Sequence, residues 1–530
     1  MAKNIVICSD GTGATANKKR GTNVFKLYEA VDLHDAHLPQ VAVYDDGVGS
    51  QGFKPLKLLG GAFGLGLGRN VRQLYTELAR AYEPGDRIWL FGFSRGAFTV
   101  RMLSGLITRY GVLDISRFHS DESLCRGVRS LYSVYRLNYS TAVQRWLERI
   151  FRRSRWLAAR RAAAWWDVAS RFHEDSGDIH FIGVWDTVAA LGFPDQRVAD
   201  FFNSVFYRFK FPDHTLSERI GRACQALSID DERQTFHPLL WVEDGGDPRI
   251  TQVWFSGAHC NVGGGYNRHG MSLVALDWMM TEAEDAGLRF VAAPRAAARD
   301  CGNAYDKIGA SRGGAALFYR YLPRDIWQAC DSHGVRPKVH ISVLRRVCRQ
   351  TEGYAPVSLP SRSDVVGTRG EPSEAGAAAV SEEVQDFLDD RLDDWASAVE
   401  RERSIPRLHG EPGWPHSVLD VERRRVMRAV VAHYFFLASA LALVILACLA
   451  LKELTGGFWP MSMERGGVLW NALVTGVSGG AVRAWVALGL LVVAVASSMT
   501  AVFARVMLRR DVSEFWYTTL GGLRDRLADV

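Results

Sequence analysis

The sequence predicts a doubly wound α/β domain on a mostly parallel sheet, followed by a membrane-spanning C-terminal region. Three observations carry that expectation. Four short apolar runs end abruptly in polar or glycine residues, as strands buried on both faces of a parallel sheet do. Helix-like stretches such as Asn70–Tyr82 and Ala97–Tyr110 lie between them, the alternation that builds such a sheet. Two long uncharged runs follow toward the C-terminus.

The four strand candidates are Asn4–Cys8, ahead of Ser9-Asp10-Gly11; Arg87–Phe93, ahead of Ser94; Ile179–Trp185, ahead of Asp186; and Ile250–Ser256, ahead of Gly257-Ala258-His259. Open α/β sheets bind ligands beyond the carboxyl ends of their strands, so these polar residues are the first candidates for a site. Residues 116–178 interrupt the alternation with a basic, aromatic stretch (Arg145, Trp146, Arg149, Arg152, Arg153, Trp156) that reads as inserted helices, part of which could lie on a bilayer surface. The α/β domain is expected over residues 1–360. Ser361–Ala379, rich in Gly, Ser, Pro and Ala, reads as a linker, and an acidic amphipathic helix from Ser381 to Arg403 follows it within residues 361–428. A surface role on the solvated side is the expectation for that helix. Residues 429–530 form a membrane anchor: 429–451 and 484–504 are each long enough to cross a hydrocarbon core, which takes about 20 residues, and neither has a polar face.

Composition narrows the classes. A chain of 530 residues with 48% hydrophobic content has material for two or three units with large cores. A net charge of +6 is a mild excess that does not call for nucleic acid. The eight cysteines include no C-x-x-C pair, which argues against a zinc site or a disulfide framework and for a reducing compartment. The apolar run Ile5–Cys8 is too short for a signal-peptide core. Arg423, Arg424, Arg425 and Arg428 precede the first long apolar run and Arg505, Arg509 and Arg510 follow the second, while Lys452–Arg483 is poorer in basic residues. Positive charge stays on the cytoplasmic side, so both termini and the α/β domain are expected there. Nothing points to a protein partner.

The sharpest motif is Gly92-Phe93-Ser94-Arg95-Gly96. G-x-S-x-G is short, but here a strand candidate leads into it and a helix candidate leaves it, the context of a nucleophile elbow. A tight strand–helix turn has no room for side chains at Gly92 and Gly96. A serine nucleophile needs a base and the base an orienting acid. Asp186 and His259 each follow a strand candidate, in the order Ser, Asp, His of α/β-hydrolases, and Thr187 is placed to hold the Asp186 carboxylate. The bland readings are a capping serine at a βα turn, a helix-capping Asp186 and a loop His259; His180, His237 and His269 lack this placement. An oxyanion needs donors. Arg95 N–H, just after the nucleophile, is one candidate, and Gly11 or Thr12 in the loop after the first strand is the other; a phosphate-binding turn is the rival reading of that loop. Gly64-Leu65-Gly66-Leu67-Gly68 follows no strand and lacks G-x-G-x-x-G spacing. It reads as a lead into a helix, and no cofactor or metal is expected.

Taken together, Ser9-Asp10-Gly11-Thr12, Tyr44-Asp45-Asp46-Gly47-Val48-Gly49, Gly85-Asp86, Phe91-Gly92-Phe93-Ser94-Arg95-Gly96-Ala97, Gly183-Val184-Trp185-Asp186-Thr187-Val188 and Trp254-Phe255-Ser256-Gly257-Ala258-His259 with Gly263-Gly264-Gly265-Tyr266 resemble the α/β-hydrolase domain family that includes the type VI secretion phospholipase effectors. The resemblance covers residues 1–280. It implies a Ser94-Asp186-His259 triad and lipid-ester hydrolysis, and it leads one to expect an aspartate where this chain has Asn261. The expectation is therefore an α/β-hydrolase-like serine esterase acting on membrane lipids by an acyl-enzyme, held at a membrane by two helices. The alternatives are an anchored hydrolase of soluble acyl esters or thioesters, and an inactive hydrolase-fold binding protein.

Overall fold

The computed structural model describes residues 2–11, 21–47, 66–137, 168–188, 215–243, 246–312, 319–332, 334–370, 374, 380, 382–403, 417–454 and 480–526. Its centre is one parallel sheet of eight strands: β1 (Asn4–Ser9), β2 (Gln40–Asp45), β3 (Arg87–Phe93), β4 (Ile179–Trp185), β5 (Ile220–Ser228), β6 (Ile250–Phe255), β7 (Lys338–His340) and β8 (Asp364–Val366). Their spatial order is β2-β1-β3-β4-β5-β6-β7-β8. All four strand candidates are central strands of this sheet, and all the pairings are parallel.

The two-residue period of a strand sorts each side chain to one layer. Ile5, Ile7, Ile88, Leu90, Ile182 and Val184 pack with α2 (Leu67–Ala81), α3 (Arg95–Tyr110) and α4 (Asp121–Leu137). Val6, Cys8, Trp89, Phe91, Phe181 and Trp185 face the other way, onto α1 (Asn23–Ala30) and α6 (Gly270–Asp285). A short helix, α5 (His259–Gly263), follows β6 after the turn Ser256-Gly257-Ala258. Of the basic stretch expected as inserted helices, α4 is helical, whereas residues 138–167 lie outside the described residues.

Beyond α7 (Ala292–Asp300), a third layer forms at the β7–β8 edge from α8 (Ile326–Asp331), α9 (Ile341–Cys348), α10 (Glu382–Arg403), α11 (Val418–Val421), α12 (Arg423–Leu454) and α13 (Gly480–Arg526). Two expectations are revised here. The stretch that composition marks as a linker contributes β8, because three residues paired to β7 suffice to close the sheet edge. The acidic helix α10 is no solvated rod: Val384, Leu388, Leu392, Ala396 and Val399, at helical spacing, bury one face beside Leu508, Val512 and Phe515 of α13. Among the described residues one helix carries a stretch long and apolar enough to cross a membrane, Trp485–Asp525. Trp485, Leu491, Val492, Met499 and Phe503 are exposed there, whereas farther along the same helix Leu508, Phe515, Trp516 and Leu523 are buried against the α/β domain.

Candidate active site

The elbow forms because Gly92 and Gly96 admit a turn that no other residue would. A Cβ on Gly92 would lie 2.7 Å from the Ala97 backbone in α3, and one on Gly96 would lie 2.1 Å from the Ser9 carbonyl at the end of β1. The turn leaves Ser94 at φ 58° and ψ −121°, a sparsely populated region for a residue with a side chain. Backbone strain of this kind persists only where surrounding structure enforces it. Here Ser94 N–H donates to the Trp185 carbonyl at the end of β4 (3.0 Å). The serine hydroxyl makes no capping bond to α3, which disposes of the bland reading as a capping serine.

Instead the Ser94 hydroxyl faces His259 Nε2 at 2.8 Å, and His259 Nδ1 faces Asp186 Oδ2 at 2.5 Å. The consistent tautomer has Nδ1–H donating to the carboxylate and Nε2 accepting from the serine. Asp186, at φ 43°, follows β4 in a second strained turn. His259 opens α5, its N–H donating to Asp231 Oδ2 (3.2 Å). Its ring lies between the Phe93 ring (centroids 4.6 Å apart) and the edge-on Phe236 ring (5.1 Å). The three side chains are brought together at the carboxyl ends of β3, β4 and β6.

The electrostatics suit a proton acceptor. Burial lowers the His259 pKa and outweighs the opposing pull of the Asp186 carboxylate, so the imidazole is held in its neutral form. Burial by itself would raise the Asp186 pKa. The Arg324 charge, together with hydrogen bonds from Arg324 and His259, more than offsets it and holds the carboxyl below the usual aspartate range.

Arg324 is the residue that sequence reasoning missed. Its Nη1 donates to Asp186 Oδ1 (2.6 Å) and Nη2 to Asp186 Oδ2 (2.8 Å). The same two nitrogens also reach the Ser228 and Phe236 carbonyls, each at 2.5 Å. Ser228 adds its N–H (3.0 Å) and hydroxyl (3.2 Å) to the carboxylate. Thr187, expected in that role, turns away and donates to Gln225 Oε1 (2.5 Å); the carboxylate is already full, and Gln225 needs a buried partner.

The oxyanion candidates divide. Arg95 is the first residue of α3, at the end of the helix where the dipole favours negative charge. Gly11 lies against Ser94, with a Cβ there only 3.3 Å from Ser94 Cβ. Its N–H, however, is taken by the Asp10 carboxylate (2.6 Å). Asp10 is itself gripped by the Thr22 (2.5 Å) and Tyr44 (2.6 Å) hydroxyls, so it braces the loop. Thr12 lies outside the described residues. Asn261 staples the histidine turn: Oδ1 accepts from Ala258 N–H (3.2 Å) and Gly309 N–H (3.1 Å), and Nδ2 donates to the Lys307 carbonyl (3.3 Å). An aspartate could not make that last bond, so an amide suits the position.

Residues 3–282 match the family model described as the catalytic domain of Tle1-like phospholipase effectors of the type VI secretion system. An uncharacterized protein of Saccharomyces cerevisiae is 28% identical over 282 residues, which is 49% of this chain and 35% of that protein. The chain thus spans about a third of the length of the curated relative it matches. Two solved structures are similar. An uncharacterized protein from Pseudomonas aeruginosa shares 16% identity at a TM-score of 0.32, covering 91% of this chain and 63% of that one. The Tle1 effector bound to the VgrG spike from the type 6 secretion system shares 18% identity at a TM-score of 0.26, covering 50% of this chain and 51% of that one. The family match takes in Ser94, Asp186 and His259 and stops short of Arg324.

Proposed function

The chain belongs to the Tle1-like phospholipase effector family of the type VI secretion system by its catalytic domain, residues 3–282, and on that premise we propose that it hydrolyses carboxylic esters of membrane lipids through a Ser94–His259–Asp186 triad. The observation that carries this reading is the continuous line of hydrogen bonds from the Ser94 hydroxyl through His259 to Asp186, mounted on a positive-φ elbow.

In this mechanism His259 Nε2 takes the hydroxyl proton as Ser94 Oγ attacks the ester carbonyl carbon. Asp186 stabilises the imidazolium that forms, and Arg95 N–H meets the negative charge on the carbonyl oxygen. The proton passes from His259 to the departing alcohol, leaving an acyl group on Ser94. Water, activated by His259, releases the acid and restores the serine.

A lipid substrate is favoured over a soluble ester by the exposed apolar residues of α13. We read α13 as one membrane crossing and residues 429–451 of α12, which packs along it, as a second, with both termini and the catalytic domain on the cytoplasmic side. Membrane lipids are the only partners this reading requires.

The test is phospholipid hydrolysis by the purified full chain, wild type against Ser94→Ala. Wild type should release fatty acid from phosphatidylglycerol vesicles and label with a fluorophosphonate. Ser94→Ala should do neither while unfolding at the same temperature, with a rate loss of about a millionfold. Hydrolysis persisting in Ser94→Ala would overturn the triad.

A further inference from the structure

We infer that Arg324, from the chain beyond the matched catalytic domain, is a positioning residue of the candidate active site, holding Asp186 ionised and oriented toward His259. The inference rests on the serine-hydrolase reading above and adds a fourth member to it.

Asp186 is completely buried. An ionised carboxylate in such a place is costly unless it is paired and fully hydrogen-bonded. Ser228 supplies two donors and His259 a third, but none of these is a fixed positive charge. Arg324 is, and it is itself buried, only 2% exposed. Its fork meets both carboxylate oxygens at 2.6 and 2.8 Å, the bidentate geometry that a guanidinium fixes and an ammonium does not. That fork settles the plane of the carboxylate and leaves Oδ2 aimed at His259 Nδ1.

The guanidinium is in turn held by its own segment. Leu322 N–H donates to the Glu232 carbonyl (2.8 Å), Gln234 N–H donates to the Arg320 carbonyl (3.0 Å), and Tyr321 bridges Arg233 in antiparallel fashion. Tyr319 meets the Phe236 ring edge-on at 5.5 Å, and Phe236 lies against His259. Residues 319–324 are thereby fastened along the loop that also carries Asp231. Their position is a property of the backbone and does not depend on Arg324 alone.

Arg324 also sets the strength of the base. It neutralises part of the charge that would otherwise stabilise the imidazolium. The other charged groups facing His259 are Asp231, which raises its proton affinity, and Arg233, which lowers it. His237, near Asp186, is held neutral by burial, its pKa lowered to about 4. Removing Arg324 has two possible consequences, both in one direction. If Asp186 stays ionised, it pulls harder on the imidazolium and His259 binds its proton more tightly. If Asp186 takes up a proton itself, it must lose it before the triad works. Either way the acid limb of the rate profile moves to higher pH.

The experiment compares full-length wild type, Arg324→Gln, Arg324→Lys and Ser94→Ala on p-nitrophenyl butyrate across pH, with circular dichroism melts to establish folding. Arg324→Gln should lose about 100-fold in kcat, the cost of a misplaced catalytic group, with KM little changed. Its acid limb should move up by about one pH unit or more, a shift of one unit being 1.36 kcal/mol. Arg324→Lys restores charge without the fork, so its acid limb should return to the wild-type position while kcat remains below wild type. Should Arg324→Gln fail to fold, the Arg324→Lys comparison decides. A folded Arg324→Gln with wild-type kcat and acid limb, or a kcat loss in either variant that leaves the acid limb unmoved in Gln or displaced in Lys, overturns the inference while Ser94→Ala is inactive. Turnover surviving in Ser94→Ala instead sinks the hydrolase reading itself.

Discussion

Trp516, in the last third of α13, donates its indole N–H to the carbonyl of Pro356 at 2.9 Å. The helix that carries the exposed apolar stretch is thus docked on the α/β domain by a buried aromatic with its polar atom satisfied. Phe515 (ring centroids 5.1 Å away) and Leu520 accompany it, and Arg524 Nε donates to the Cys348 carbonyl (2.8 Å). Trp516→Ala should therefore cost about 3–5 kcal/mol. Denaturant unfolding of the detergent-solubilised chain would measure it, and a loss under 1 kcal/mol would mean that α13 is not part of the cooperative unit.

The elbow makes a sharper prediction. Gly96→Ala would push a methyl to 2.1 Å from the Ser9 carbonyl, and main chain at the end of a central strand cannot give way. Destabilisation of about 3 kcal/mol or more is expected, with fluorophosphonate labelling of Ser94 abolished in whatever protein accumulates. Wild-type labelling of Gly96→Ala would contradict this turn geometry.

The pH dependence follows from His259. As the proposed base it can act only when neutral, and burial keeps its pKa below the ordinary value of 6.5. As pH falls, the inactive protonated form therefore appears late. The acid limb of kcat/KM, which reports groups of the free enzyme, should lie below pH 6.5, in the window where an unperturbed imidazole is already half charged. An acid limb at pH 7 or above would show that the Asp186 pull wins over burial.

Orientation is open to a direct assay. With Arg423, Arg424, Arg425 and Arg428 on one side of the first apolar run and Arg505, Arg509 and Arg510 beyond the second, a reporter fused after Val530 should be active in the cytoplasm. A reporter active only on the far side of the membrane would reverse the proposed arrangement.

The sheet's centre was legible because β1, β3, β4 and β6 are buried on both faces and read as continuous apolar runs ending at the site. β5 was not. Gly221-Arg222-Ala223-Cys224-Gln225 carries little strand propensity, and it is buried because its polar groups find tertiary partners: Arg222 in Glu282, Gln225 in Thr187, Leu239 and Gln252. β7 and β8 have three residues each, too few for any period to emerge. Ser94, Asp186 and His259 could be found because each closely follows a strand. Arg324 sits in Leu322-Pro323-Arg324-Asp325, with no motif and no strand; only the closing of the fold brings it to Asp186. Thr187 was misread because proximity in sequence says nothing about which way a side chain turns after a strained residue.

The segment that carries Arg324 has a second attachment. Arg320 lies over the Tyr434 ring of α12 at 4.8 Å, and Arg505 of α13 lies over the Tyr321 ring at 5.6 Å. A ribosome makes the chain from the other end. Ser94, Asp186 and His259 all emerge before Arg324, and Arg324 before the two helices that its segment touches. On the proposed hydrolase reading, the counter-charge of Asp186 therefore reaches the site after the three triad residues have been made, on a segment that packs against the two last-made helices.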